Sequence, residues 1–306
     1  MQTTLKTEVP FIGTGLHSGR PARVTLRPAS ADTGIRFRRM DVSDRDPWVS
    51  ARYDMVSDTT LNTRLTNAAG VSVATVEHLM AAISGLGLSN VLIEIDGPEV
   101  PILDGSSARF VEGIVKSGLR TLESPVWAWR VRKEVSVVRE AASATLAPYD
   151  GLHIAFEIDF PDAAIGRQTR ALDMANGTFV RELSDCRTFC RRAEVTAMQA
   201  QGLALGGSLD NAVVVDGAQV LNPGGLRRPD EYVRHKMLDA LGDLALTGAP
   251  ILGAYRGVRA GHGLTNQLLR TLFATDGAVE PVICTPDQAA RLPGVGLVAA
   301  DLGAVG

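Results

Sequence analysis

The residues of this chain that could carry chemistry are concentrated in a few short segments. The segment DEYVRHKMLDALGDL carries His235, Asp239 and Asp243, which are spaced four residues apart. In a helix this spacing places all three side chains on one face. Two residues four apart are also how one helix supplies two ligands to a metal, although a solvated polar face has the same spacing. The apolar residues around them predict a buried helix, in which carboxylates need a partner.

The segment TVEHLMAA adds Glu77 and His78, which are adjacent and would point about 100° apart on a helix. Taken alone, the segment favours an acidic residue at a helix start beside an incidental histidine. Taken with His235 and Asp239, His78 completes the three nitrogen and oxygen ligands of a catalytic zinc site. Glu77 is then the expected general base that acts on the attacking water.

Two further segments hold candidates for the remaining steps of such a reaction. In AGHGLTNQLL, His262 at a helix start could protonate a leaving group, with Asp243 raising its pKa; the alternative is a solvent-exposed histidine. In DCRTFC, Thr188 could stabilise an oxyanion, although such threonines are usually structural. Cys186 and Cys190 have no second pair of cysteines, so a structural zinc site is not expected there.

Composition and charge narrow the classes of function. The chain has 306 residues, of which 45% are hydrophobic and 21% charged, as in ordinary soluble globular proteins. Its 31 basic and 34 acidic residues give a net charge of −3, which excludes a strongly basic nucleic-acid-binding domain. Three cysteines fit a reducing compartment. With no visible secretory signal or membrane-spanning segment, we expect a cytoplasmic protein without a stable membrane anchor.

The order of predicted elements places these segments in two halves. Each half reads as strands followed by a helix, a strand and a helix, which suggests a duplicated α+β architecture. A break at Ser124-Pro125 predicts domains at 1–125 and 126–306. We expect Thr75 to cap the helix that begins near Glu77, and residues from about 276 to 306 to form a peripheral tail.

Six motifs together resemble one family. In chain order they are GTGLHSG, TVEHLMAAISGLGLSNVLIEIDGPEVPILDGSS, CRTF, GLALGGSLDNAVVV, DEYVRHKMLDALGDL and GHGLTNQLL. From about residue 2 to residue 274 they are similar to the zinc-dependent UDP-3-O-acyl-N-acetylglucosamine deacetylases of lipid A biosynthesis. The resemblance implies one Zn²⁺ per chain and hydrolysis of the N-acetyl group of UDP-3-O-(3-hydroxyacyl)-N-acetylglucosamine, with release of acetate, in the cytoplasm of a Gram-negative bacterium.

The resemblance also implies a role for each of ten residues that bind metal, catalyse or contact the substrate. They are the zinc ligands His78, His235 and Asp239, the base Glu77, the acid His262 with its partner Asp243, the oxyanion hydroxyl of Thr188, the substrate-contacting Lys236 and Phe189, and Asp104 as support for a ligand histidine.

The fold implied by the resemblance has two domains of similar topology, each a sheet layer on a helix layer, with the site at their junction. Each domain carries a small insert, and the second insert, at about 165–200, is expected to form an apolar passage for the acyl chain. A monomer that binds an acylated UDP-amino sugar is expected. The chain departs from the family pattern at Asn62, where a cysteine is frequent, and at Cys190, Arg191 and Arg192, where a glycine and apolar residues are common.

Two alternatives to this function remain open from the sequence. One is a zinc amidohydrolase of another substrate on the same fold; a peptidase is disfavoured because the helix carries H-K-x-x-D rather than H-E-x-x-H. The other is a non-catalytic binding protein. Iron could also compete with zinc at a site of two histidines and one carboxylate.

Overall fold

The structure is a computed structural model that describes residues 1–297. Helices are mixed with several sheets in this part of the chain, so the α+β class predicted from the sequence is confirmed. None of the helices within residues 1–297 combines the length and the apolar character needed to cross a bilayer.

The first 125 residues contain ten strands and two α-helices. The strands are β1 (Thr3–Leu5), β2 (Val9–Thr14), β3 (Pro21–Pro28), β4 (Ile35–Arg39), β5 (Trp48–Ser50), β6 (Val56–Asp58), β7 (Arg64–Thr66), β8 (Ser72–Val73), β9 (Val91–Ile95) and β10 (Leu119–Thr121). The helices are α1 (Glu77–Gly85) and α2 (Ala108–Ser117).

Residues 126–297 contain ten further strands and five α-helices. The strands are β11 (Trp127–Val131), β12 (Val135–Arg139), β13 (Ala142–Ala147), β14 (Leu152–Asp159), β15 (Arg167–Asp173), β16 (Phe189–Arg191), β17 (Val213–Asp216), β18 (Gln219–Val220), β19 (Ile251–Val258) and β20 (Val279–Ile283). The helices are α3 (Thr178–Glu182), α4 (Arg192–Ala200), α5 (Glu231–Leu244), α6 (His262–Ala274) and α7 (Pro286–Ala289).

Both halves build a sheet with the same strand order. The first sheet runs β2-β3-β9-β4-β5, and the second contains β12-β13-β19-β14-β15 with β11 and β20 added beyond β19. In each sheet the central strand, β9 or β19, is antiparallel to one neighbour and parallel to the other. It also follows one helix, α1 or α5, and precedes another, α2 or α6. This repetition supports the division at 1–125 and 126–306, which stays a prediction.

The strands of both sheets bury alternate residues. Val91, Ile93 and Ile95 of β9 are buried and the residues between them are partly exposed. The same alternation runs through the longer β14, where the buried positions are all large and apolar. Because successive side chains point to opposite faces of a sheet, this alternation makes one face of each sheet apolar and buried. The helices pack on that face.

Helices α1 and α5 are buried on nearly all sides. In α1 all residues except Ser84 are buried, and in α5 all residues except Lys236. A helix that is covered all round lies inside the protein rather than on its surface. The two helices contact each other, and they come from the two different halves of the chain.

Gly242 of α5 lets the two helices approach closely. A Cβ atom at this position would lie 2.1 Å from the carbonyl oxygen of Glu77, at the first residue of α1. No side chain fits in that space, so only glycine permits the contact. The first turn of α1 therefore lies beside the turn of α5 that carries Asp239 and Asp243.

The expected cap of α1 is wrong. The helix starts after Val76, and no side chain caps it. Thr75 has a positive φ of 56° rather than the extended backbone of an N-cap residue. Its hydroxyl instead donates to Oε1 of Glu99, at 3.1 Å.

The limits expected for the second insert are too early. Residues 167–173 form β15, which belongs to the main sheet, and the additional elements α3, β16, α4, β17 and β18 follow between β15 and α5. The sequence RQTRALD lacks the apolar alternation of a strand, because β15 lies at a sheet edge and has no buried residue.

The expected tail contains ordered elements of the fold. Strand β20 pairs antiparallel with β11 at the sheet edge, with Ile283 opposite Trp127. A proline within VEPVI weakens the strand signal, but an edge strand tolerates it. Helix α7 follows and is capped by Thr285. The rest of the expected tail, residues 298–306, lies outside the described residues.

The contact at Gly242 predicts the effect of a single methyl group. Gly242→Ala should lower the free energy of unfolding by about 1–3 kcal/mol, because the new atom meets backbone that cannot rotate away. Urea unfolding of the purified protein measures this change. Gly224→Ala is the matched control, since nothing lies within 4 Å of its added Cβ, and it should leave the unfolding midpoint unchanged. Equal stability of the two variants would contradict the close contact.

Candidate active site

The first turn of α1 and the middle of α5 bring five ionisable side chains together in the interior. Glu77 and His78 begin α1, and His235, Asp239 and Asp243 line one face of α5, as their spacing predicts. All five are buried, with exposed fractions of 5% or less. Buried ionisable groups are costly without partners, so the partner of each group indicates its role.

Three of these residues offer donor atoms to one point. One donor atom from each of His78, His235 and Asp239 lies within 4.8 Å of the other two, and no other such group of histidine, cysteine, aspartate or glutamate occurs within residues 1–297. Oδ1 of Asp239 is 3.5 Å from Nε2 of His78 and 3.3 Å from Nε2 of His235.

The three residues fit a zinc ion. Oδ1 of Asp239 is buried and accepts no hydrogen bond within the described chain, which is unfavourable for a carboxylate unless a cation occupies the space. Nδ1 of His235 lies 3.0 Å from the carbonyl oxygen of Cys186. A carbonyl only accepts, so Nδ1 carries the proton and Nε2 presents a lone pair. Two imidazoles and one carboxylate form a donor set of catalytic zinc sites.

The protonation states of the ligands suit a metal. Burial lowers the pKa of His235 to about 4, so its imidazole is neutral near pH 7. Burial alone would raise the pKa of Asp239, but the nearby His235 and Lys236 outweigh it and hold that pKa well below the usual range. A neutral imidazole and an ionised carboxylate are the forms that bind metal.

Glu77 lies beside the three candidate metal ligands His78, His235 and Asp239, which we call the triad. A backbone hydrogen bond holds the carboxylate of Glu77. Its Oε2 accepts a hydrogen bond from the N–H of Thr63, at 3.0 Å. Burial raises the pKa of Glu77, against the opposing effect of His262 and His78. A carboxylate with a raised pKa is better matched to proton transfer near neutral pH than an exposed one.

His262 forms a pair with Asp243. The histidine is the first residue of α6, and its Nδ1 lies 2.8 Å from Oδ2 of Asp243. Although burial lowers the pKa of His262, the charge of Asp243 and the hydrogen bond to it outweigh burial and raise the pKa to about 9. His262 is therefore a cation near pH 7, in contrast to the neutral His235.

Lys236 is the one residue of α5 that is not buried. Its Nζ donates to Oδ2 of Asp239, at 2.7 Å, so Oδ2 faces a positive charge, whereas Oδ1 faces Nε2 of His78 and of His235. The lysine therefore orients a proposed zinc ligand and also reaches the surface, where a substrate could contact it.

Phe189 lies next to His235, and the hydroxyl of the adjacent Thr188 has no hydrogen-bond partner in the described part of the chain. The ring of Phe189 is 6.3 Å from that of His235 and 5.0 Å from that of Tyr232. Thr188 is held through its backbone, whose N–H donates to the carbonyl of Gly105 at 2.8 Å. Its side chain makes no hydrogen bond to any of residues 1–297, so a hydroxyl is available beside Phe189.

Asp104 does not contact a ligand histidine. Its Oδ2 accepts from Nη1 of Arg227 at 2.9 Å, and its Oδ1 accepts from the hydroxyl and the backbone of Ser106. The expected support of a histidine by Asp104 is absent among residues 1–297, because Arg227 from the second half of the chain binds this carboxylate instead. Nδ1 of His78 consequently has no hydrogen-bond partner among residues 1–297.

The polar residues at the positions that depart from the family pattern form hydrogen bonds or ion pairs. Asn62 is buried and accepts a hydrogen bond from the N–H of Thr75, at 3.3 Å. The side chain of Arg191 binds Asp162, and Arg192 binds Asp216. The two arginines are therefore paired with acidic residues near α4.

Two groups at the site were missed by the sequence analysis. One is Thr63, whose hydroxyl donates to Oδ1 of Asp243 at 2.7 Å. The other is the carbonyl of Cys186, which sets the tautomer of His235. Neither group can be recognised in the sequence, because one threonine in a polar loop cannot be distinguished from another and every residue has a carbonyl.

Comparisons with known proteins agree with the motifs. A family model described as UDP-3-O-acyl N-acetylglycosamine deacetylase matches residues 2–274. Three curated relatives carry the name UDP-3-O-acyl-N-acetylglucosamine deacetylase. The one from Phenylobacterium zucineum is 49% identical over 277 residues, which cover 90% of this chain and 94% of the relative. Those from Chromohalobacter salexigens and Pasteurella multocida are 46% and 44% identical, and cover 94% of this chain and 94% and 95% of the relatives.

Proposed function

The chain belongs to the UDP-3-O-acyl-N-acetylglucosamine deacetylase family, and from this membership we propose how its residues divide the reaction among them. The enzyme hydrolyses the N-acetyl group of UDP-3-O-acyl-N-acetylglucosamine in lipid A biosynthesis. The observation that carries the assignment of residues is the convergence of His78, His235 and Asp239 on one point, with the carboxylate of Glu77 and the cationic His262 nearby. The three free cysteines support a reducing compartment, the cytoplasm, as the place of action.

We propose that His78, His235 and Asp239 hold one Zn²⁺. The buried Oδ1 of Asp239 without a hydrogen bond, and the tautomer imposed on His235, support this ligand set. When bound, zinc supplies a Lewis acid that polarises the acetamide carbonyl and makes water more acidic.

Glu77 acts as the general base. It takes one proton from water while the water oxygen bonds to the acetyl carbonyl carbon. The Thr63 N–H holds one oxygen of its carboxylate in place, and the other oxygen is left for the proton.

His262 acts as the acid. As a cation it stabilises the negative oxygen of the tetrahedral intermediate, and the free hydroxyl of Thr188 can donate a second hydrogen bond. When the carbon–nitrogen bond breaks, Nε2 of His262 gives its proton to the leaving nitrogen. The acid that leaves loses the second proton of the water and becomes acetate, and the other product is the free amine of the sugar. Loss of a proton from Glu77 and uptake of one by His262 restore both residues for the next turnover.

The aromatic residues beside the triad provide a surface for the substrate. The ring of Phe189 packs between those of Phe160 and Tyr232, at centroid distances of 5.5 and 5.0 Å. We propose that the sugar and the start of the acyl chain lie against Phe189, with the chain running along β16 and α4. Lys236, which is only partly buried beside Asp239, is the proposed cationic contact of the substrate.

The function is tested by acetate release from UDP-3-O-(3-hydroxyacyl)-N-acetylglucosamine. Turnover should fall by more than about 100-fold after chelation, because the polarising cation is removed, and zinc should restore it. Substrates of several acyl lengths should be included. A folded, zinc-loaded protein that releases no acetate from any of them would favour the non-catalytic or other-amide alternatives.

Glu77→Gln is the control that separates binding of the metal from catalysis. Its amide keeps the size of the side chain but cannot accept the proton, so turnover should fall by about 100-fold or more. Zinc content, measured by atomic absorption, should stay at one per chain. Near-normal turnover in this variant would contradict the assignment of the base.

The pair of His262 and Asp243 predicts a pH dependence. His262 donates its proton only below its pKa of about 9, so the basic limb of kcat/KM should lie near that pH. Asp243→Asn removes the charge that outweighs burial, so the pKa of His262 should fall and the basic limb should move to lower pH by more than one unit. The pH–rate profiles of the two proteins measure this shift, and superimposable limbs would contradict the pairing.

A further inference from the structure

Thr63 connects the proposed base to the partner of the proposed acid. It is buried, with an exposed fraction of 1%, and lies between β6 and β7, whereas Asp243 lies in α5 of the other half. Its N–H donates to Oε2 of Glu77 at 3.0 Å, and its hydroxyl donates to Oδ1 of Asp243 at 2.7 Å. One residue therefore contacts two carboxylates with different proposed roles.

The hydroxyl of Thr63 completes the environment of Asp243. Oδ2 of that carboxylate faces Nδ1 of His262 at 2.8 Å, and Oδ1 faces Thr63. A carboxylate held at both oxygens cannot turn about its own axis without losing a charge-assisted hydrogen bond. The plane of Asp243 then determines the direction in which the His262 ring points its other nitrogen, Nε2.

The turn that carries Thr63 is itself fixed to the start of α1. Leu61 has a positive φ of 63°, which is uncommon for a leucine. Asn62 stabilises the turn, since its side chain donates to the carbonyl of Thr60 at 3.1 Å and accepts from the N–H of Thr75 at 3.3 Å. The carbonyl of Thr63 accepts from the N–H of Val76, which precedes the helix.

We propose that Thr63 is a positioning residue that orients the acid through Asp243 by its hydroxyl, while its backbone N–H orients Glu77. The inference rests on the proposed roles of Glu77 and His262. Serine keeps the hydroxyl and valine keeps the shape, so the two substitutions separate the hydrogen bond from the packing. Both leave the backbone bond to Glu77 in place.

The first test compares kcat and KM of the zinc-loaded Thr63→Val and Thr63→Ser variants. Thr63→Val should lower kcat by about tenfold or more and change KM by less than twofold, because a misdirected acid acts on the transition state. Thr63→Ser should stay within threefold of the wild type. Zinc content should be one per chain in both. If the valine variant does not fold, Thr63→Ala, which adds no bulk, takes its place.

Thr4→Val is the matched control. Thr4 is also fully buried, and its hydroxyl likewise makes two hydrogen bonds, with the carbonyl of Asn90 and the N–H of Ala29, neither of which belongs to the candidate site. This variant should lose stability but keep kcat. If Thr4→Val lowered kcat as much as Thr63→Val, the loss would come from general destabilisation. That result would overturn the inference.

A double-mutant cycle with Asp243→Ala tests the connection itself. With Asp243 absent, Thr63→Val should change kcat by less than twofold, because the group that it positions is gone. The same cycle, measured by urea unfolding of the zinc-free proteins, should show a midpoint shift for the double variant smaller than the sum of the single shifts. Additive effects in either measurement would overturn the inference.

The outcomes distinguish this inference from the proposed function. A wild-type protein without acetate release would contradict the proposed function, and the unfolding cycle would still report on the Thr63–Asp243 contact. An active wild type with an equally active Thr63→Val variant would contradict the positioning role alone.

Discussion

The contact between α1 and α5 is the constraint on which the site depends. Each helix comes from a different half of the chain and carries only part of the proposed chemistry. Helix α1 has the proposed base and one proposed ligand, and α5 has two proposed ligands and the partner of the proposed acid. They meet at the space where Gly242 has no side chain. The repeated strand order explains why the two helices are available for this contact, since each precedes the central strand of its sheet.

The partners of the two buried histidines at the site give them opposite protonation states. His235 faces a backbone carbonyl and is neutral, with a pKa of about 4, whereas His262 faces a carboxylate and is a cation, with a pKa of about 9. Two histidines in the same interior are thus suited to different proposed roles, His235 to binding a metal and His262 to donating a proton. The difference comes from their partners, because desolvation acts on both in the same direction.

Much of this site could be predicted from local patterns, because the spacing within α5 and the adjacent pair in α1 are properties of short segments. The contacts that orient these residues could not. Thr63 and Asp243 are 180 residues apart in the chain. No local sequence pattern indicates which polar loop residue contacts Asp243. The partner of Asp104 could not be predicted for the same reason, since Arg227 is 123 residues away in the chain. Strand β20 was missed because an edge strand with a proline lacks apolar alternation.

We propose that helices from both halves share one metal through two histidines and one carboxylate. X-ray absorption spectroscopy at the zinc edge of the loaded protein tests it most directly, together with the spectra of His78→Ala and Asp239→Ala. We expect nitrogen and oxygen ligands with the multiple scattering of two imidazoles, and loss of bound zinc in both variants. A sulfur ligand at about 2.3 Å, or an unchanged zinc environment when His78 or Asp239 is removed, would contradict the account.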